Sequence, residues 1–161
     1  MKVLLIDVLP QDVGRLHEFI LALAESDGVA EVLTSIESLN TGLFGDAPCA
    51  FPRFIQHDGS VAGFVIYSWK WGVFTGAPDM YLQALYIDPA FRRRGLARAT
   101  MSQLARIAVA SGCSRMEWLT VRGKEASGGF YDSIGSRQAD HMVVRRIRGD
   151  NLVALANTES S

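Results

Sequence analysis

The stretch from Met80 to Arg98 constrains this chain's fold more than any other. Met80 to Ile87 reads as a strand, and Asp88-Pro89 stops it. Ala90-Phe91-Arg92-Arg93-Arg94-Gly95 then leads into a helical stretch in which Ala97, Met101, Leu104, Ala105 and Ala108 share one stripe. A glycine-bearing basic turn therefore joins a strand to a helix. Four of the 16 basic residues, Arg92, Arg93, Arg94 and Arg98, fall within this turn and the helix start, although the formal net charge is −1. Cations are disfavoured at a helix N-terminus, where unpaired main-chain N–H groups already carry partial positive charge. A bound anion offsets that cost, and glycine lets it approach the backbone, so the turn reads as a phosphate site. Neither Gly-x-x-x-x-Gly-Lys-Ser/Thr nor Gly-x-Gly-x-x-Gly is present, so the common nucleotide folds are poor matches.

The remaining pattern surrounds this unit with strands and helices. Val3 to Val8 is a strand candidate, and Val13, Leu16, Phe19, Ile20 and Leu23 repeat at helical spacing until Asp27-Gly28. Thr34-Ser35-Ile36-Glu37 has the form of a capping box for a second helix. Two extended runs between Ala50 and Trp71 flank His57-Asp58-Gly59-Ser60, a hairpin turn signal. A loop is expected over 72–79, a strand over 116–121, a short helix over 125–134 and an extended run over 141–147. The predicted order, β-α-α-β-β-β-α-β-α-β, favours a mixed α/β (α+β) sheet flanked by helices over a doubly wound parallel sheet.

With 161 residues, 48% of them hydrophobic, the chain has the size of one domain, placed at 1–156 with 157–161 as a polar tail. No apolar run approaches the roughly 20 residues of a membrane span, and the near-neutral charge offers no global field for nucleic acid or an anionic membrane. The N-terminal run reads as a strand, not a signal peptide, giving a cytoplasmic expectation. Cys49 and Cys113 with His17, His57 and His141 form no metal-ligand pattern, so no metal is expected.

Arg92-Arg93-Arg94-Gly95-Leu96-Ala97 satisfies Arg/Gln-x-x-Gly-x-Gly/Ala, and Ser127-Gly128-Gly129-Phe130-Tyr131-Asp132-Ser133-Ile134-Gly135 satisfies Ala/Ser-x-x-Phe-Tyr-x-x-x-Gly. In these motifs and their order the chain resembles the GCN5-related N-acetyltransferases. Tyr81 to Tyr86, Gly112-Cys113-Ser114 and the ending from Arg146 look most like the diamine (spermidine/spermine-type) branch. The resemblance implies a mostly antiparallel central sheet with acetyl-CoA as co-substrate. It places the pyrophosphate on the N–H groups of Arg93, Arg94, Gly95, Leu96, Ala97 and Arg98, with Arg92 beside them. Leu85, Tyr86 and Ile87 would pair with pantetheine. Lys124, Ser127 and Tyr131 complete the implied coenzyme contacts, with Lys124 standing where the family usually has asparagine, and Ser136 replaces a common phenylalanine. The acceptor implied is a small-molecule amine, and the assembly a homodimer.

Transfer of an acetyl group to an amine requires a neutral nucleophile, an oxyanion donor and an acid for the departing thiolate. A lysine-like amine with a pKa near 10.4 is deprotonated at pH 7 at a cost of roughly 4.6 kcal/mol. By resemblance, an N–H near Leu85 or Tyr86 is the oxyanion donor and Tyr131 the general acid. The base departs from the pattern: Gln83-Ala84 stands where close-looking relatives carry Glu-Asp, leaving Gln83 only a substrate contact. Glu117 on the next strand is the assigned replacement base, with Asp79 and His57 as alternatives. Losing two carboxylates points to a less cationic acceptor and raises a rival reading, a catalytically weakened coenzyme-binding domain.

Overall fold

A computed structural model describes residues 2–121, 123 and 125–158. The chain forms two compact units, Met1–Lys124 and Glu125–Ser161. The first holds a sheet of five strands in the order β1-β2-β3-β4-β5: β1 (Val3–Asp7), β2 (Phe51–His57), β3 (Ser60–Gly72), β4 (Ala77–Ile87) and β5 (Met116–Trp118). All neighbours run antiparallel except β4 and β5, which are parallel and joined through α3 (Leu96–Ala110). Between β1 and β2 lie α1 (Val13–Asp27) and α2 (Ile36–Phe44). This is the expected mixed sheet flanked by helices.

Strand alternation divides the core. Phe54, Phe64, Ile66 and Tyr86 point to one face, where Leu16 and Phe19 of α1 and Leu43 and Phe44 of α2 pack on them. Full burial of each large side chain is worth about 1.5–3 kcal/mol. α3 packs against β1 and β4, burying Leu96, Met101, Leu104 and Ala108. Its Gln103 also seals the open edge of β1, accepting from Leu5 N at 3.1 Å and donating to Val3 O at 2.8 Å. Gly28 ends α1 in the left-handed region, with its N–H on the Ala24 and Glu25 carbonyls. Asp58 and Gly59 both have positive φ, as the tight β2–β3 turn requires.

Four expectations are corrected. The α2 box is Ser35 with Ser38, one residue later than Thr34 with Glu37, because the helix begins at Ile36, which makes Ser35 the cap: its Oγ accepts from Ser38 N and its own N–H donates to Ser38 Oγ. The loop expected over 72–79 contracts to a turn, since β4 begins at Ala77 and pairs with Gly72. β5 stops at Trp118 instead of Val121. Residues 141–147 form no strand: the second unit contains α4 (Glu125–Ser133) and α5 (Asp150–Ala156), and among its described residues there is no strand to pair with. The sequence reading missed α5.

Candidate active site

The early end of β5 follows from the shape of β4. The β3–β4 register advances from Ile66↔Ala84 to Tyr67↔Leu82, so Gln83 is an extra residue, a β-bulge. A bulge bends its strand and increases local twist. The β4–β5 ladder accordingly covers only Met80↔Met116, Tyr81↔Glu117 and Leu82↔Trp118. Beyond it, β4 from Gln83 to Ile87 has no strand paired along this edge among the described residues.

Alternation decides which groups occupy that edge. Asp88 N–H reaches Ala62 O of β3 at 2.9 Å. The main-chain groups of Tyr86 therefore also face β3, while those of Leu85 and Ile87 face the gap. The Tyr86 side chain lies in the core. Gly63 lets β3 approach here, since a Cβ on it would lie 2.0 Å from Tyr86 O.

The edge runs directly into the basic turn. The Asp88 carboxylate accepts from Ala90 N at 2.8 Å, and Arg92 returns to the strand end, its Nε donating to Ile87 O at 2.8 Å and its guanidinium 5.7 Å from the Tyr86 ring centre. Arg93 (φ 61) and Gly95 (φ 76) are both left-handed. Such a conformation is costly at arginine and common at ligand-binding turns. The first rung of α3 is Ala99 N–H on Gly95 O, so the N–H groups of Leu96, Ala97 and Arg98 precede the helix ladder. The residues from Arg92 to Arg94 and Arg98 are exposed, whereas Leu96 is buried and anchors the turn. A helix start preceded by left-handed positions and a strand edge without a partner strand fit the diphosphate and the amide-bearing arm of a coenzyme.

On the face carrying Gln83, neighbouring strands assemble a polar patch. Gln83 Nε2 donates to Ser68 Oγ at 3.1 Å. Lys70 pairs with Glu117 and its Nζ stands 5.7 Å from the Tyr81 ring centre. Glu117 Oε1 is 3.1 Å from Arg115 Nε, which also donates to Asp79 Oδ2 at 2.9 Å. Ser114 donates to the other Asp79 oxygen at 2.8 Å. Asp79 is fully buried. Burial by itself pushes its carboxyl up, but hydrogen bonds from Ser114 and Arg115 and the charges of Arg115 and Lys70 outweigh this and hold it below the usual carboxylate range. Asp79 is thus an anchor for Arg115 and a poor proton acceptor. His57 stands at the β2–β3 turn, eight residues along β3 from Ser68, or about 27 Å at strand rise. Neither alternative base serves the bulge. Cys113 has its thiol pushed up by burial and by the Asp79 charge, so it is a poor nucleophile.

The sequence reading missed Ser68, Lys70, Ser114 and Arg115. The signal was available for two of them: once the hairpin register is fixed, Ser68 and Lys70 stand opposite Tyr81 and Asp79. The aromatic residues of β3, β4 and the turn between them divide between faces, Tyr81 with Lys70 and Trp69 with Tyr67 and Phe51, while Phe74 is fully exposed on the turn. In the second unit, Ser127 and Tyr131 lie on α4; Tyr131 packs on Phe130 and its carbonyl accepts from Ser136 Oγ at 2.9 Å. Lys124 lies outside the described residues. Among the described residues no cluster of His, Cys, Asp or Glu could hold a metal ion, and no helix is long and apolar enough to cross a membrane.

The sequence matches the profile of the acetyltransferase (GNAT) family over residues 15–135. The chain belongs to this family. It is a GNAT-type, acetyl-CoA-dependent N-acetyltransferase. This acetyltransferase is 28% identical over 131 residues to a thialysine N-epsilon-acetyltransferase of Caenorhabditis elegans, covering 81% of this chain and 80% of that protein. It is 26% identical over 99 residues to an L-ornithine N5-acetyltransferase of Arabidopsis thaliana, covering 62% of this chain but only 43% of that protein. Among solved structures, an integron cassette protein from the mobile metagenome of V. cholerae superposes with a TM-score of 0.81 at 23% identity, covering 98% of this chain and 99% of the other, which supports the fold.

Proposed function

We propose that this acetyltransferase acetylates a primary amine of a small, amino-acid-like molecule by direct attack in a ternary complex. The observation carrying this reading is the β4 edge at Leu85 and Ile87, left without a partner strand by β5, which leads into the left-handed turn at Arg93 and Gly95 and adjoins the carboxylate-bearing face of Glu117. Bound acetyl-CoA supplies an activated acetyl carbonyl. The N–H groups from Arg93 to Arg98 take its pyrophosphate, and the edge groups of Leu85 and Ile87 hold its arm. Leu85 N–H meets the carbonyl oxygen, where negative charge develops. Glu117 receives the acceptor's ammonium and takes its proton, Gln83 contacts the acceptor, and Tyr131 protonates the departing sulfur.

Charge favours an amino-acid-like acceptor over a polyamine. Lys70 and Arg115 balance Asp79 and Glu117, and Gln83-Ala84 adds no carboxylate, so the face lacks the surplus negative charge that gathers polycations. The relatives named for thialysine and ornithine agree with this. The test is release of coenzyme thiol on mixing acetyl-CoA with ornithine, thialysine, spermidine and a simple monoamine. Ornithine or thialysine should exceed spermidine in kcat/KM, and Glu117→Gln should shift the pH–rate profile. Saturable coenzyme binding with no thiol release from any amine would replace this reading with a coenzyme-binding role.

A further inference from the structure

The ion pairs around Glu117 are unequal. Arg115 is fixed from both sides, because its Nε meets the buried Asp79 at 2.9 Å and Glu117 at 3.1 Å. Asp79 is itself fixed by Ser114. Lys70 differs in how it is held and not in exposure, 41% against 49% for Arg115: its ammonium stands at the end of a flexible stem, on the second Glu117 oxygen and the Tyr81 ring. A carboxylate and an aromatic face are also what a free primary ammonium seeks. The protein's own lysine therefore occupies a site shaped for the group that the reaction consumes.

We propose that Glu117 and Tyr81 form the acceptor's ammonium subsite and that Lys70 is a tethered competitor for it, displaced when the acceptor binds. This rests on the acyl-transfer reading above and adds a specificity-determining residue to it. Arg115 keeps Glu117 oriented throughout, so the exchange of one ammonium for another leaves the carboxylate paired. Departure of Lys70 also frees the Glu117 oxygen that has to accept the acceptor's proton. An acceptor too weakly cationic to displace Lys70 is excluded, which makes the lysine a filter as well as a placeholder.

The cost of the competition can be bounded. A site available only part of the time lowers apparent affinity by that fraction. For a partly exposed ion pair of ordinary strength, the handicap is about two- to six-fold. Lys70→Met removes the ammonium and keeps the stem, on a side chain exposed enough not to threaten folding. With ornithine as acceptor, KM should fall about two- to six-fold with kcat within about twofold. Lys70→Arg, which retains a cation, should not show the fall. An unchanged or raised KM in Lys70→Met would overturn the proposal. A failure of the underlying reading looks different: no amine is turned over by either protein. Calorimetry with ornithine alone then still decides the subsite, since tighter binding by Lys70→Met supports it and equal or weaker binding removes it.

Discussion

Asp79 and Arg115 form an ion pair at 2.9 Å in which the carboxylate is fully buried and the cation half exposed. The asymmetry has a structural cause. Asp79 immediately precedes Met80, the first β4 residue paired with β5, and Arg115 immediately precedes β5, so the pair clamps the start of the ladder. Because Asp79 is held below the usual carboxylate range, its ionised form is favoured by the folded state. Its contribution to stability is then complete above the unfolded carboxyl's pKa, near 3.9, and is lost as pH falls through the lower folded value.

Asp79→Asn should therefore destabilise the protein by about 1–3 kcal/mol at neutral pH, the usual worth of hydrogen bonds to a buried charged group. Urea denaturation should give a constant difference between wild type and variant from pH 7 to about pH 4, shrinking below that. A difference independent of pH down to the acid limit would mean that the carboxylate's charge is irrelevant.

Gly63→Ala tests the close approach of β3 to the edge strand. The added methyl would meet Tyr86 O at 2.0 Å, a backbone atom that cannot rotate away. β4 has to shift precisely where Leu85 and Ile87 face the gap. A stability loss of about 1–3 kcal/mol is expected from overpacking, together with weaker coenzyme binding. Wild-type affinity in a destabilised variant would detach the edge geometry from binding.

What the sequence made legible followed from local chemistry. Asp58-Gly59 marked a turn because both positions need positive φ, and Arg92 to Gly95 marked the strand-to-helix turn, where Arg93 and Gly95 are left-handed. What stayed hidden depended on register. Gln83 becomes a bulge only by mismatch with Tyr67 on β3, and Lys70 meets Glu117 across β4, 47 positions further along the chain. Residues 141–147 carry strand-forming Val143, Val144 and Ile147, but propensity without a partner strand makes no ladder. The candidate site was thus readable where local backbone conformation forms it and opaque where side chains from three strands converge.

Gly95 separates backbone conformation from charge in the turn. At φ 76, asparagine is tolerated far better than other side chains. Gly95→Asn should retain coenzyme affinity within about tenfold, while Gly95→Glu, adding an anion beside the pyrophosphate, should lose more than that. Calorimetry on both variants checks this; equal losses would indicate that the turn's shape alone sets affinity.

Cys113 should play no covalent part. Burial and the neighbouring Asp79 charge both disfavour its thiolate, the only form that could accept an acyl group. Cys113→Ser should keep turnover within about twofold, and initial-rate lines at varied coenzyme and amine should intersect, as a ternary complex requires. Parallel lines that disappear with the serine variant would establish an acylated cysteine instead.

In the proposed mechanism Tyr131, as the general acid, is the residue that separates binding from turnover most cleanly. A thiolate leaving a thioester is stabilised when a positioned acid protonates it, and a general acid of this kind contributes about 10²–10⁴-fold. Tyr131→Phe removes one oxygen and keeps the ring that packs on Phe130 at 5.1 Å, so α4 should retain its structure. kcat should fall by about 10²-fold or more, with coenzyme Kd within about twofold of wild type, because the lost group acts on the sulfur only as its bond breaks. A parallel loss of affinity would make Tyr131 a coenzyme contact alone, and an unchanged kcat would pass the proton to solvent.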